Sequence, residues 1–130
     1  MKIRMRSNSI RLRLLRAEVD ALARGEPIAE TVVFGPGPTQ RFAYALAADP
    51  NTDAVHATFS GNVVEVRVPA VLAREWAISE VAGIERAQAN GDENPLQILI
   101  EKDFTCLLPR TGEAEGDTFA NPNARRVEAD

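Results

Sequence analysis

The sequence predicts an α+β fold, a mostly antiparallel sheet of about eight strands with two helices. Three observations lead there. Segments of period-2 hydrophobic alternation recur in pairs around turn residues, as in KIRMR and SIRLRL on either side of Ser7-Asn8. The connections within each pair are hairpin-sized, which forces mostly antiparallel neighbours and excludes a doubly wound parallel sheet. Two short stretches with helical spacing, RAEVDALARGEP and AVLAREWAIS, follow the first and third pairs.

Taken in order, residues 2–14 read as a β-hairpin with Ile3, Met5, Ile10, Leu12 and Leu14 toward the core. The opposite face carries Lys2, Arg4, Arg6, Arg11 and Arg13. Val19, Leu22 and Ala23 then recur at helical spacing, and Gly25 and Pro27 stop the helix after about two turns. IAETVVF and RFAYALA are two strands joined by GPGPTQ, whose glycines and prolines extend neither. VHATFS and VVEVRV flank Gly61-Asn62, a further hairpin turn, and Pro69 opens the second helix. In that helix Leu72, Ala73, Trp76 and Ala77 form a core-packing stripe. GIERAQA and LQILIE flank NGDENP and make the last pair. From residue 108 the pattern stops, so residues 108–130 are expected to be an extended acidic tail with Phe119 as its candidate anchor.

The order strand-strand-helix-strand-strand occurs twice, in residues 1–53 and 55–107 of an expected single domain, 1–107. At a constant offset of 54, Asn8 falls on Asn62, Arg13 on Arg67, Leu22 on Trp76 and Gly37 on Gly91. Few pairs are identical; the coincidence of turns, helices and in-facing positions carries the reading of a duplicated ββαββ unit. Such a unit builds either an open sheet with both helices on one face or a barrel with the helices outside.

A chain of 130 residues with 45% hydrophobic content suffices for one core. No run approaches the roughly 18 to 20 apolar residues of a membrane span, and the charged start lacks the apolar run of a secretory signal, so a cytoplasmic location is expected. The single cysteine, Cys106, excludes an intramolecular disulfide and a CxxC zinc knuckle. The net charge of −4 argues against broad nucleic-acid affinity. Charge is unevenly spread: residues 1–24 hold seven basic and two acidic side chains, residues 25–107 five and twelve, and residues 108–130 three and five.

The first hairpin therefore concentrates like charge on one face, which costs roughly 0.2 to 1 kcal/mol per directly opposed pair. Three things could offset this: water on an open face, carboxylates such as Glu65, Glu85, Glu101 and Asp103, or a bound anion held by guanidinium groups. The corresponding face of the third hairpin carries His56, Thr58, Glu65 and Arg67. A thiol catalyst would need a base beside Cys106, and nothing in the sequence brings His56, the only histidine, to it. A metal site from His56, Asp103, Cys106, Glu113, Glu115 and Asp117 has no supporting ligand spacing. There is no GxGxxG after a strand, no GxxxxGK[ST], no GxSxG and no HExxH, and no motif names a cofactor.

The stretches KIR at the start, Asn8-Ser9-Ile10-Arg11, Glu101-Lys102-Asp103-Phe104 with Cys106 and Leu107, and Asn121-Pro122 resemble a family of small bacterial proteins known as a domain of unknown function. The resemblance spans roughly residues 1–123 and implies no activity. Gly112, Ala114 and Gly116 dilute the acidic run usual in that family's tail. The overall plan is similar to the CYTH superfamily of triphosphate tunnel enzymes, antiparallel barrels whose lumen holds basic residues for polyphosphate and glutamates for metal. Where that signature reads E-x-E-x-K, this chain has Lys2, Arg4 and Arg6, so the resemblance implies anion binding without those metal-binding glutamates.

The function expected from the sequence is binding of a small anionic ligand or a protein partner through a basic sheet face. Its candidate residues are Arg4, Arg6, Arg11, Arg13 and Arg67 with Glu65 and Glu101. The alternative is a metal-dependent phosphohydrolase of the triphosphate tunnel type using Glu65, Glu85 or Glu101.

Overall fold

The computed structural model describes residues 1–104. Cys106, Phe119 and the segment 108–130 lie outside the described residues. The elements run β1 (Lys2–Arg6), β2 (Ser9–Leu14), α1 (Arg16–Ala23), β3 (Ile28–Val33), β4 (Arg41–Asp49), β5 (His56–Ser60), β6 (Val63–Pro69), α2 (Ala70–Ile78), β7 (Gly83–Gln88) and β8 (Leu96–Lys102). All four hairpins form as the alternation predicts, and the class is α+β. Neither helix is long and apolar enough to cross a membrane.

The hairpins do not join into one sheet or close into a barrel. They form two open four-stranded sheets, β1-β2-β8-β7 and β3-β4-β6-β5. In each, two antiparallel hairpins meet through a central parallel pair, β2 with β8 and β4 with β6. The first hairpin thus pairs with the last one and the two middle hairpins pair with each other. Parallel partners need a crossover; for β2 and β8 it is most of the chain, whereas for β4 and β6 it is residues 50–62, which include β5.

The second sheet repeats the pairing of the first. Ser9 opposite Gln97 becomes, on a shift of 54, Val63 opposite Ala43, and Lys2 opposite Arg13 becomes His56 opposite Arg67. The outer hairpins depart from the constant offset. Ile28 pairs with Leu46 but Ile84 with Ile100, so β7 sits 56 residues from β3, two residues being inserted before it. The turns agree as well: Asn8 Nδ2 donates to the Asn94 carbonyl at 3.1 Å and Asn62 Nδ2 to the Thr39 carbonyl at 3.1 Å. Gly61 and Asn62 take the left-handed conformation that a tight hairpin turn requires.

The inner faces of both sheets share one core with the helices. Ile10, Leu12, Leu14, Ile98 and Ile100 come from the first sheet and Leu46, Val64, Val66 and Val68 from the second. Val19 and Leu22 of α1 and Ala73 and Trp76 of α2 complete it. Because α1 leaves the C-terminal end of β2 and α2 that of β6, the helices pack on each other and fill one end of the space between the sheets. The opposite end is the turn end, and there Met5, expected in the core, is 49% exposed.

Two polar ties hold the sheets together at their sides. Gln88 of β7 accepts from the Ala57 N–H at 2.8 Å and donates to the Ala57 carbonyl at 2.9 Å, imitating a strand ladder with a side chain. On the other side the Met1 carbonyl accepts from Tyr44 Oη at 2.9 Å, and the Met1 ammonium donates to Glu18 and, at 3.0 Å, to Glu30.

Gly83 lies where β7 crosses β8: a Cβ there would stand 2.9 Å from the Ile100 carbonyl oxygen and 3.6 Å from Glu101 Cγ. Backbone cannot move aside as a flexible side chain would. Gly83→Ala is therefore expected to destabilise the protein by about 1 to 3 kcal/mol, read as a lower urea midpoint with an unchanged m-value.

Candidate functional site

The outer face of the first sheet is a grid of three rows set by the register. From edge to edge these are Lys2, Arg13, Glu101, Gly83; then Arg4, Arg11, Leu99, Glu85; then Arg6, Ser9, Gln97, Ala87. Alternation in β1 and β2 puts all five cations of the first hairpin on this face, as the sequence predicts, with Lys2 opposite Arg13 and Arg4 opposite Arg11.

Glu101 partly neutralises the face. Its Oε1 is 3.1 Å from Arg11 Nε and 3.5 Å from Arg13 Nη2. The oxygen is shut off from solvent, and its contacts are ion pairs without hydrogen-bond alignment. Lys2, itself 80% exposed, lies 3.8 Å from Asp103. Arg4 and Arg6 have no carboxylate partner among the described residues. With Ser9, Arg11, Glu85 and Gln97 they line a groove of about 370 Å³ along the second and third rows. A smaller groove of about 180 Å³ runs between Lys2, Arg4, Arg11 and Arg13.

The expected set of site residues divides between two surfaces. Arg4, Arg6, Arg11, Arg13 and Glu101 come together, but Glu65 and Arg67 stand on β6, on the outer face of the other sheet. There Arg67 Nε donates to Glu65 at 2.6 Å and Arg67 Nη1 to Asp49 at 3.0 Å. The Asn51 backbone N–H, helped by Arg67, holds the Asp49 carboxyl below the ordinary carboxylate range. The hydrogen bonds that Arg67 donates to Glu65 and Asp49 hold its own guanidinium above its ordinary value in turn. Arg67 is thus a satisfied ion-pair member rather than part of the basic face.

The chain belongs to the Family of unknown function (DUF7009). The family model matches residues 1–123, and the fold and site described above are those of a DUF7009 chain. No curated protein and no solved structure matches it.

The lumen that the likeness to triphosphate tunnel enzymes implies does not form. In the DUF7009 chain the two sheets stay open, so the arginines lie on an outer face and the carboxylates do not converge. Glu101 is taken up by Arg11 and Arg13, Glu65 by Arg67 on the other sheet, and Glu85 stands one row from Glu101. Among the described residues no group of three His, Cys, Asp or Glu side chains could hold a metal ion.

Ser9, Gln97 and Leu99 were not among the expected site residues. They enter the groove only through the parallel pairing of β2 with β8, across some 88 positions of sequence. No local pattern announces such a pairing, although the period-2 faces of SIRLRL and LQILIE match once the two are set side by side.

Proposed function

We propose that this chain is a binding protein whose first sheet holds a small oxyanion, a phosphate or carboxylate group, between Arg4, Arg6 and Arg11. The observation that carries this reading is the pair of exposed arginines without a carboxylate partner that line the groove beside half-buried Arg11. Guanidinium groups rooted on strands, with Ser9 and Gln97 adding neutral donors, make an oriented anion site at little ordering cost.

The second sheet supplies an internal comparison. At the positions equivalent to Lys2, Arg4, Arg6 and Arg11 it carries His56, Thr58, Ser60 and Glu65, in the same register. The pairing scheme therefore does not need the cations. The repulsion of Arg4 opposite Arg11 and Lys2 opposite Arg13, which the second sheet does without in the same register, supports a face kept for what it binds. The same register also favours descent of the two halves from one duplicated ββαββ unit, of which one copy kept or acquired the basic face.

Thermal unfolding with inorganic phosphate, pyrophosphate and citrate tests the reading. A ligand at 100 times its dissociation constant stabilises the fold by about 2.7 kcal/mol, a shift readily measured. The double variant Arg4→Gln, Arg6→Gln is expected to lose the response and Arg67→Gln to keep it. Glu101→Gln, which releases Arg11 and Arg13 from their internal carboxylate, is expected to strengthen it. No shift with any of the three anions at millimolar concentration would refute the site.

A further inference from the structure

We infer that the anion held by Arg4 and Arg6 is the head of a single-chain amphiphile, such as a fatty carboxylate, whose tail enters an apolar groove between the two sheets. This rests on the anion site proposed above and names the ligand class of that same site.

The space between the sheets is closed on three sides by features already described: the paired helices at one end, the Gln88–Ala57 ladder on one flank, and the Met1 contacts with Tyr44, Glu18 and Glu30 on the other. Among the described residues the turn end is the open side. There a groove of about 330 Å³ is lined by Met5, Ile10 and Leu96 from the first sheet and Phe42, Phe59 and Val64 from the second. Its walls are almost wholly apolar, and two of its residues reach well into solvent, Met5 at 49% and Phe59 at 67% exposure. A closed sandwich would bury such side chains. Apolar pockets of this size are the usual form of small-molecule sites, in which a few polar groups fix the orientation of the ligand.

The charges decide the occupant. Met5 sits between Arg4 and Arg6 in β1, so strand alternation sends the thioether into the apolar groove and the two guanidiniums to the other side of the same edge strand. Ile10, the cross-strand partner of Met5, borders both grooves. Apolar and anion-binding surfaces are therefore separated by the thickness of one strand, which a flexible amphiphile can straddle. A second copy of this chain fits less well. A two-fold contact at this mouth would bring Arg4 and Arg6 of both copies to one place, where Glu85 is the carboxylate that lines their groove, and the excess of like charge opposes association.

The test uses the full chain and a series of straight-chain carboxylates from butanoate to dodecanoate below their micelle concentrations, with dodecanol as the uncharged probe and inorganic phosphate as the tail-less one. Affinity by calorimetry is expected to rise about fourfold per added methylene until the groove is full, and dodecanoate to bind more tightly than dodecanol. Met5→Ser and Phe59→Ser, at exposed positions where folding is not at stake, are expected to flatten the chain-length series and leave the phosphate response intact. Arg4→Gln with Arg6→Gln is expected to make dodecanoate bind no better than dodecanol.

A phosphate response with no dependence on chain length overturns the amphiphile while the anion site stands. A chain-length series with no phosphate response and no preference for dodecanoate overturns the anion site and this inference together. Binding to vesicles of anionic lipid without binding of monomeric dodecanoate overturns it in favour of a membrane surface. A ligand-free dimer that Met5→Ser dissociates overturns it in favour of a second copy.

Discussion

Leu46→Ala is expected to lower the unfolding free energy by about 2 to 5 kcal/mol, a large part of the total for a domain of this size. Leu46 is fully buried on β4, paired with Ile28 on one side and Val66 on the other, in the core that both sheets and both helices share. The backbone of a central strand, bonded on both edges, cannot collapse into the space that the lost methyl groups leave. Urea unfolding measures the loss. Leu46→Met, which keeps the volume, is expected to cost less than about 1.5 kcal/mol; equal losses in the two variants would place Leu46 outside the tight core.

The second large effect centres on Glu18, whose carboxylate serves two partners. One oxygen accepts the Leu15 N–H at 2.9 Å, satisfying a donor at the start of α1 where Leu15 itself has no side-chain acceptor. The other accepts from the Met1 ammonium, which also reaches Glu30. Glu18→Ala removes both functions and is expected to cost about 1 to 3 kcal/mol, the loss of a cap alone being about 0.5 to 2 kcal/mol. Glu18→Gln keeps the cap and loses the charge, so the two variants separate the contributions.

The ammonium also makes stability depend on pH. Burial pulls the Met1 amine down, but its hydrogen bonds to Glu18 and Glu30 outweigh this and leave it raised above its usual value of 8.0. A group raised in the folded state stabilises fully below its unfolded value and loses that contribution as pH rises through the folded one. Stability should therefore fall as the solution passes above pH 8. Tyr44, whose phenol is raised above 10.0 by burial and by Glu30 and Glu18, adds a loss of the same sign at higher pH. Urea midpoints from pH 7 to 10 are expected to decline in the native chain. The decline between pH 8 and 10 should be much shallower with Glu18→Gln and Glu30→Gln combined, and an unchanged slope would show that the amine does not carry it.

Much of this architecture is legible in the sequence because its local signals agree. Alternation and turn chemistry specify every hairpin, and the apolar stripes specify both helices, so the eight strands and two helices fall where expected. The side of the sheet on which Arg4, Arg6, Arg11 and Arg13 lie follows from the same alternation. Strand order is not legible. Choosing β8 rather than β3 as the partner of β2 depends on which apolar faces fit across the core, and residues 9–14 say nothing of residues 97–102. For that reason the sequence groups Glu65 and Arg67 with the arginines of the first hairpin although they stand on another sheet, and carries no signal that brings Ser9 to Gln97. The Met1–Glu18–Glu30 cluster joins three elements and carries no motif at all.

The exchange of hairpins between the two sheets also governs how the chain reaches this structure. Neither the first half nor the second contains a complete sheet, since β2 waits for β8 and β4 for β6. Loop closure across nearly the whole chain must come before the first sheet is complete, which places the fold among slow, high-contact-order topologies. As the chain emerges from the ribosome, the second sheet can assemble once β6 is made, while one edge of the basic hairpin stays unpaired until β8 arrives. During that interval, like charge on Lys2, Arg4, Arg6, Arg11 and Arg13 protects the unpaired edge from other nascent chains. The residues proposed to hold a ligand in the finished protein thus guard its least protected strand while it is being made.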